Sequence, residues 1–322
     1  MSTRKRSGTA CRVTVQALVL ACVTLWIVAL TSSIEVAAQA AQPRTFSSAE
    51  DAAKTLVETV RKGDVDGVLA IFGQDGRDLL ATADPPTARM NRDVFAAAAA
   101  EQWHLVDDGA DRKTLVIGGE DWPFPVPIVR EGNAWHFDTA AGKEEVIARR
   151  IGRNELAAID TIRAYVAAQR RYAATAHDNN QPGVYAVKFR SDPGKENGLY
   201  WATGPGQKRS PLGDMVADAA EEGRPVGGDH TQPSPFNGYY FRILTAQGPA
   251  ATGGAKSYVV NGQMSGGFAL IAWPAQYDAS GVMSFIVNQD GVIREKDLGA
   301  STDAAARKVS VYNPDPSWRA IQ

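Results

Sequence analysis

Past residue 45 the apolar positions first recur at helical spacing. Ala53, Leu56, Val57 and Val60 form one such stripe, and "SSAE" at Ser47–Glu50 reads as a capping box in front of it. Gly63 closes this helix. Asp64 is placed to cap a second, whose apolar face is Val65, Val68, Leu69 and Phe72. "FAAAAAEQW", within Asp93–Trp103, has the propensity of a third helix. The period then changes to two. "KTLVIGG" (Lys113–Gly119) predicts a strand, and "WPFPVPIVREGNAWHFDT" predicts a hairpin turning at Glu131-Gly132-Asn133. Pro123, Pro125 and Pro127 sit at alternate positions, so that strand must lie at an edge or run as extended polyproline.

A long helix is predicted from Glu144 to about Ala174, interrupted only by Gly152. Its stripe is Ile151, Glu155, Ala158/Ile159, Ile162, Val166 and Tyr172. "AHDNNQPG" ends it. "GVYAVKFRS" alternates like a strand, "GLYWATGPGQKRSPLG" is a Gly/Pro loop, and Asp214–Pro235 is polar and acidic, a short helix followed by an exposed loop. The remainder is strand-rich: "GYYFRILTAQG", "KSYVVNG", "GGFALIAWPAQY", "GVMSFIVNQ" and "GVIREKDLG" are five segments parted by turn residues, as in an antiparallel meander. The pattern predicts an α+β protein in two units, residues 41–140 and 141–322, behind a leader of residues 1–40.

That leader changes the picture. Arg4, Lys5, Arg6 and Arg12 precede an apolar run from Val13 to Leu30, and Ala38-Gln39-Ala40 fits a small-x-small cleavage site. The arrangement is that of an exported precursor, bound for the periplasm or the extracellular space. Retention through residues 13–30 as a membrane anchor is the alternative. Both cysteines, Cys11 and Cys22, lie in the leader, so a cleaved chain has no disulfide, thiol nucleophile or thiolate metal site. Removing the leader takes away four basic residues and Glu35 and leaves 30 basic against 35 acidic residues. Such a surface gives no electrostatic reason to bind nucleic acid.

Candidate chemistry is sparse. "SFIVNQDGVIREKDLG" (Ser284–Gly299) clusters Asn288, Asp290 and Asp297 around Gly291, like a calcium loop. With Gly291 at the sixth position of an EF-hand, Ile286 falls where an acidic ligand must stand, so a hairpin turn is expected instead. Glu101 and His104 make one E-x-x-H, whereas a di-iron site needs two copies and two further glutamates. His136 and Asp138 share a face of "WHFD" and are the candidate acid/base pair for a cavity in the first unit. His177 and His230 fall in loops without visible partners. "GQMSGG" around Ser265 lacks the G-x-S-x-G spacing, and no P-loop, G-x-G-x-x-G or H-E-x-x-H occurs, so no cofactor or metal is implied. Tyr200 and Trp201, with Lys208 and Arg209 on the following loop, are the candidate ligand-binding residues.

Several long segments, in order, carry a family resemblance: "IFGQDGRDLL", "WPFPVPIV", "WHFDTAAGKEEVIARRIGRNELAAI", "GLYWATGPGQKRSPLG", "GYYFRILTAQG", "GGFALIAWPAQY" and "FIVNQDGVIREKDLG". Together they resemble the bacterial exported family named domain of unknown function 2950, which implies no assigned activity and no catalytic residues. In element order the first unit resembles the NTF2-like cone fold. The long helix with its following strands is similar to a type IV pilin head. Unlike a pilin, the chain places a separate domain (Phe46–Asp138) between leader and helix, so a pilin-like head reused as a rigid module is expected over a filament subunit. The function expected is a non-catalytic binding or envelope-associated module whose partner is an envelope protein or a glycan. A hydrolase or isomerase using His136 and Asp138, and a surface assembly component, are the alternatives. The membrane enters only through an uncleaved leader. N-terminal sequencing of the exported protein should find a chain that starts at or near Ala41; a start at Met1 would mean that the leader is retained as an anchor.

Overall fold

The computed structural model describes residues 42–73, 75–77, 85–178, 180–204, 206, 209–213 and 235–321. Residues 1–41 (1–40 read above as a leader), Lys208, His230 and nearly all of the acidic stretch lie outside them. The described chain mixes helices with antiparallel sheets, an α+β architecture. It divides into two compact units between Val146 and Ile147. Among the described residues no helix is long and apolar enough to cross a membrane.

In the first unit, α1 (Ala49–Arg61) begins after Ser48, whose hydroxyl accepts the Asp51 N–H at 3.0 Å. The cap thus sits one residue later than the Ser47–Glu50 box expected, because the side chain nearest the first free N–H takes it. Ala49, Ala52, Ala53, Leu56 and Val57, spaced as one helical face, are buried. Asp64 caps α2 (Val65–Phe72) through the Gly67 N–H at 2.8 Å. Helix α3 (Pro85–Glu101) opens on two prolines, whose missing N–H groups would have no partner in a first turn anyway.

An antiparallel sheet follows: β1 (Trp103–Asp107), β2 (Arg112–Ile117), β3 (Trp122–Pro123), β4 (Ile128–Glu131) and β5 (Ala134–Phe137). β1 lies along one side of β2. On the other side β2 pairs first with β3 and then with β4. Pro125 and Pro127 fall in the gap between those two pairings, where a ladder N–H is not required. Phe46 exchanges backbone bonds of 2.7 and 2.9 Å with Trp135, which ties the start of the described chain to β5. Phe46, Phe72, Phe124 and Phe137 meet mostly edge to face in the core with Leu56, Leu115 and Ile128.

Helix α4 (Thr139–Ala173) begins in the first unit and continues into the second. There Ala158, Ile162, Tyr165, Val166 and Tyr172 share a core with a sheet built from β6 (Tyr239–Leu244), β11 (Ala269–Pro274), β12 (Met283–Asn288), β13 (Arg294–Asp297) and β14 (Arg319–Ala320). The strand order is β14-β13-β12-β11-β6, antiparallel throughout. All six residues of β11 are buried, which is why it reads as an unbroken apolar run. Between β6 and β11 come four two-residue strands: β7 (Ala246–Gln247) with β8 (Lys256–Ser257), and β9 (Val259–Val260) with β10 (Gln263–Met264). Helix α5 (Thr302–Lys308) follows β13, and its Asp303 accepts the Trp273 indole N–H at 2.9 Å.

Two polar contacts lay α4 along β12. Glu155 Oε1 accepts the N–H groups of Val282 and Met283 at 2.9 and 3.0 Å, and the Arg170 guanidinium donates to the Gln289 carbonyl at 3.0 Å. Fifteen helical residues rise about 22 Å, and six strand residues rise about 20 Å, so the two spans match. At the far end the NQDG turn closes as expected. The Gly291 N–H donates to the Asn288 carbonyl at 3.0 Å, Gly291 takes φ +83°, and the Asn288 amide bonds both the N–H and the carboxylate of Asp290.

One expected strand is absent. "GVYAVKFRS" makes only an isolated bridge, Arg190 with Tyr200. The fully buried Gln169 supplies the reason. Its side-chain amide accepts the Ala186 N–H at 2.9 Å and donates to the Ala186 carbonyl at 2.8 Å, so at Ala186 the backbone groups a neighbouring strand would use are already taken. Replacing Gln169 by Leu keeps the volume but strands both groups of Ala186. We expect a loss of roughly 2–5 kcal/mol, read as a lower urea midpoint with an unchanged slope.

Candidate functional site

A cluster of chemically capable side chains lies where α4 ends. Arg170 and Arg171 stand in its last turn, where the free carbonyls favour cations. Beyond Ala173 the chain turns sharply: the Asn180 N–H donates to the His177 carbonyl at 2.8 Å, and Asp178 takes φ +48°. This turn folds the His177 imidazole back onto Tyr172, ring centroids 4.1 Å apart and 16° from parallel. His177 is 5% exposed.

A second loop meets the first. Ser191 and Gly198 bond each other reciprocally, and Asp192 and Asn197 do likewise, so residues 191–198 form a self-bonded loop. A Cβ at Gly198 would come within 2.7 Å of the Arg190 and Ser191 backbone, so only glycine permits this closure. Hydrogen bonds from Lys188 and Asn197, with the nearby charges of Lys188 and Lys195, hold the Asp192 carboxylate below the usual range. The loop presents Glu196. The Glu196 N–H donates to the Asp178 carboxylate, and its carbonyl accepts the Tyr172 phenol at 2.9 Å.

Glu196 Oε2 stands 3.0 Å from His177 Nδ1, and Thr175 Oγ1 stands 3.0 Å from Nε2. A carboxylate only accepts, so Nδ1 carries the ring proton. Nε2 is then the acceptor and the Thr175 hydroxyl its donor. Thr175 is half-buried, and the Glu196 side chain is half-exposed. Trp201 closes the cluster, its ring 5.5 Å from that of His177.

The residues expected from the sequence divide between this place and others. Tyr200 and Trp201 are here, half-buried against the core of the second unit, and the Arg190 guanidinium lies 4.9 Å over the Tyr200 ring. The loop carrying Arg209 adjoins them: Leu212 N–H bonds the Leu199 carbonyl at 3.0 Å, and Pro211 O accepts Arg171. Arg209 is exposed, and Ser210 between it and Pro211 is buried with its hydroxyl unpartnered. Lys208 lies outside the described residues.

His136 and Asp138 are in the first unit. Phe137 between them is fully buried, so strand alternation turns His136 to the other face. The Asp138 carboxylate accepts the Ala141 N–H at 3.0 Å and so caps the first turn of α4. The two are not drawn into a hydrogen-bonded pair. Glu101 bonds the Gly119 N–H, and His104 is exposed on β1. Among the described residues no three His, Cys, Asp or Glu side chains are grouped to hold a metal.

Thr175, His177 and Glu196 were not legible as a group in the sequence. Residues 43–321 match the family model Protein of unknown function (DUF2950). The chain therefore belongs to that family, as its long ordered segments led one to expect. No curated protein and no solved structure matches it, and the cone-fold and pilin-head likenesses have no counterpart there.

Burial raises the Tyr172 phenol to about 12, with the Asp178 and Glu196 carboxylates adding to the effect. Burial likewise raises Tyr258 to about 12. An unfolded tyrosine ionises near about 10. Between these values the unfolded chain sheds protons that the folded chain keeps, so stability is full below about pH 10 and falls as pH rises toward 12. Urea unfolding at about pH 9 and about pH 11 should show the midpoint dropping, and Tyr172→Phe should lessen the drop.

Proposed function

We propose that this protein is an exported binding module of the bacterial envelope, and that it takes its ligand on the loop face beyond the end of α4. The leader supports export: it has the basic start, apolar run and small-residue cleavage signal of a secretory precursor. The observation that carries the binding reading is that two adjacent, half-exposed aromatic residues are each braced from one side. Arg190 stacks on Tyr200, and His177, itself locked between Tyr172 and Glu196, stands against Trp201. Rings held this way lose little freedom on binding, which is what lets a small platform bind measurably.

The exposed Arg209 on the adjoining loop adds positive charge beside the rings. Ring faces with neighbouring hydrogen-bond donors suit a glycan of the envelope. A protein surface is the second class of partner. The acidic balance of the mature chain speaks against nucleic acid.

The test is co-sedimentation of the purified protein with cell-wall sacculi, alongside a glycan array. The wild type should be retained, and Trp201→Ala, compared at a temperature well below its own cooperative thermal transition, should weaken retention by about 2 kcal/mol, roughly thirtyfold. A wild type that binds neither sacculi nor any arrayed glycan, or an alanine variant that binds as well, would overturn the glycan assignment.

A further inference from the structure

We infer that Thr175, His177 and Glu196 form a hydroxyl–imidazole–carboxylate relay that cleaves carboxylic esters through an acyl intermediate on Thr175. Catalysis of this kind needs a nucleophile within hydrogen-bond reach of a base, and a third group that fixes the base. All three are present in the second unit, with both links at 3.0 Å. Glu196 fixes the proton on Nδ1, which leaves the Nε2 lone pair toward the Thr175 hydroxyl. The ring cannot rotate away from that task, because Tyr172 stacks on it and Trp201 stands beside it. Glu196 is in turn immobilised through its own backbone by Asp178 and the Tyr172 phenol. The imidazole is oriented by an acid through one nitrogen and faces a half-buried hydroxyl with the other, the arrangement of a proton relay.

The chemistry balances on these groups, an ester and water. Thr175 Oγ1 bonds to the ester carbonyl carbon as its proton passes to Nε2. The carbon–alkoxy bond then breaks, and the departing oxygen takes that proton from Nε2, leaving an acyl ester on Thr175. Water attacks the same carbonyl while Nε2 accepts its proton. The Thr175 oxygen leaves, recovers the proton, and a carboxylic acid is released. Thr175 and His177 are the catalytic residues; Glu196 is a positioning residue. The relay does not depend on which ligand Tyr200 and Trp201 hold.

The test uses the full chain, expressed with its leader and purified, with p-nitrophenyl acetate as substrate and a fluorophosphonate as covalent label. The wild type should hydrolyse the ester above the background rate and take the label on Thr175, located by peptide mass. Thr175→Ala should lose the label and about a hundredfold in hydrolysis, the usual range for a general-base-assisted step, while Thr175→Ser keeps both. Glu196→Gln, a change at a half-exposed side chain, should lower the rate and move the acid limb of its pH profile, and Glu196→Asp should restore part of both. An unlabelled Thr175, or equal rates in the wild type and Thr175→Ala, would overturn the relay. Neither result would bear on retention by sacculi through Trp201.

Discussion

The second unit depends on a single constraint: backbone polar groups turned out of water must be paired, and several stretches of its chain have no ladder to pair them. Side chains take the place of strands. Gln169 satisfies both groups of Ala186, Glu155 satisfies Val282 and Met283, and Gln247 bonds the carbonyls of Thr252 and Gly254. Arg242 reaches the carbonyls of Ala306, Arg307 and Val309 at the end of α5. Three of these four side chains lie on α4 or β6 and reach to a loop or to the end of another element. The helix and sheet therefore act as a frame from which the loops are suspended.

This explains which parts of the fold were legible. The first two helices showed themselves through Asp64, Gly63 and a buried face at helical spacing, all local signals. The β4–β5 hairpin and the NQDG turn did so through their turn residues. The segment after Gly183 did not, because the alternation that marks a strand is the same whether a neighbouring strand or Gln169 accepts its backbone, and nothing near it in sequence names the glutamine.

The candidate site divides on the same line. Tyr200 and Trp201 could be singled out because adjacent aromatic residues in a Gly/Pro loop are visible in composition. His177 looked partnerless because its acid stands 19 residues away in another loop. Its position depends on Gly198 and on the positive φ of Asp178, which reveal their purpose only when the loops meet. His136 and Asp138 were readable as a pair by strand spacing, but helix α4 starts at Thr139, so the carboxylate was needed as a cap.

The matched spans of α4 and β12 have a consequence for how this family can vary in length. One residue inserted early in the stretch from Glu155 to Arg170 would turn everything beyond it by about 100°, and would carry Arg170 away from Gln289 and the buried face of Val166 and Tyr172 away from the sheet. A compensating residue in β12 would reverse the faces of that strand. Insertions and deletions are thus barred from this stretch.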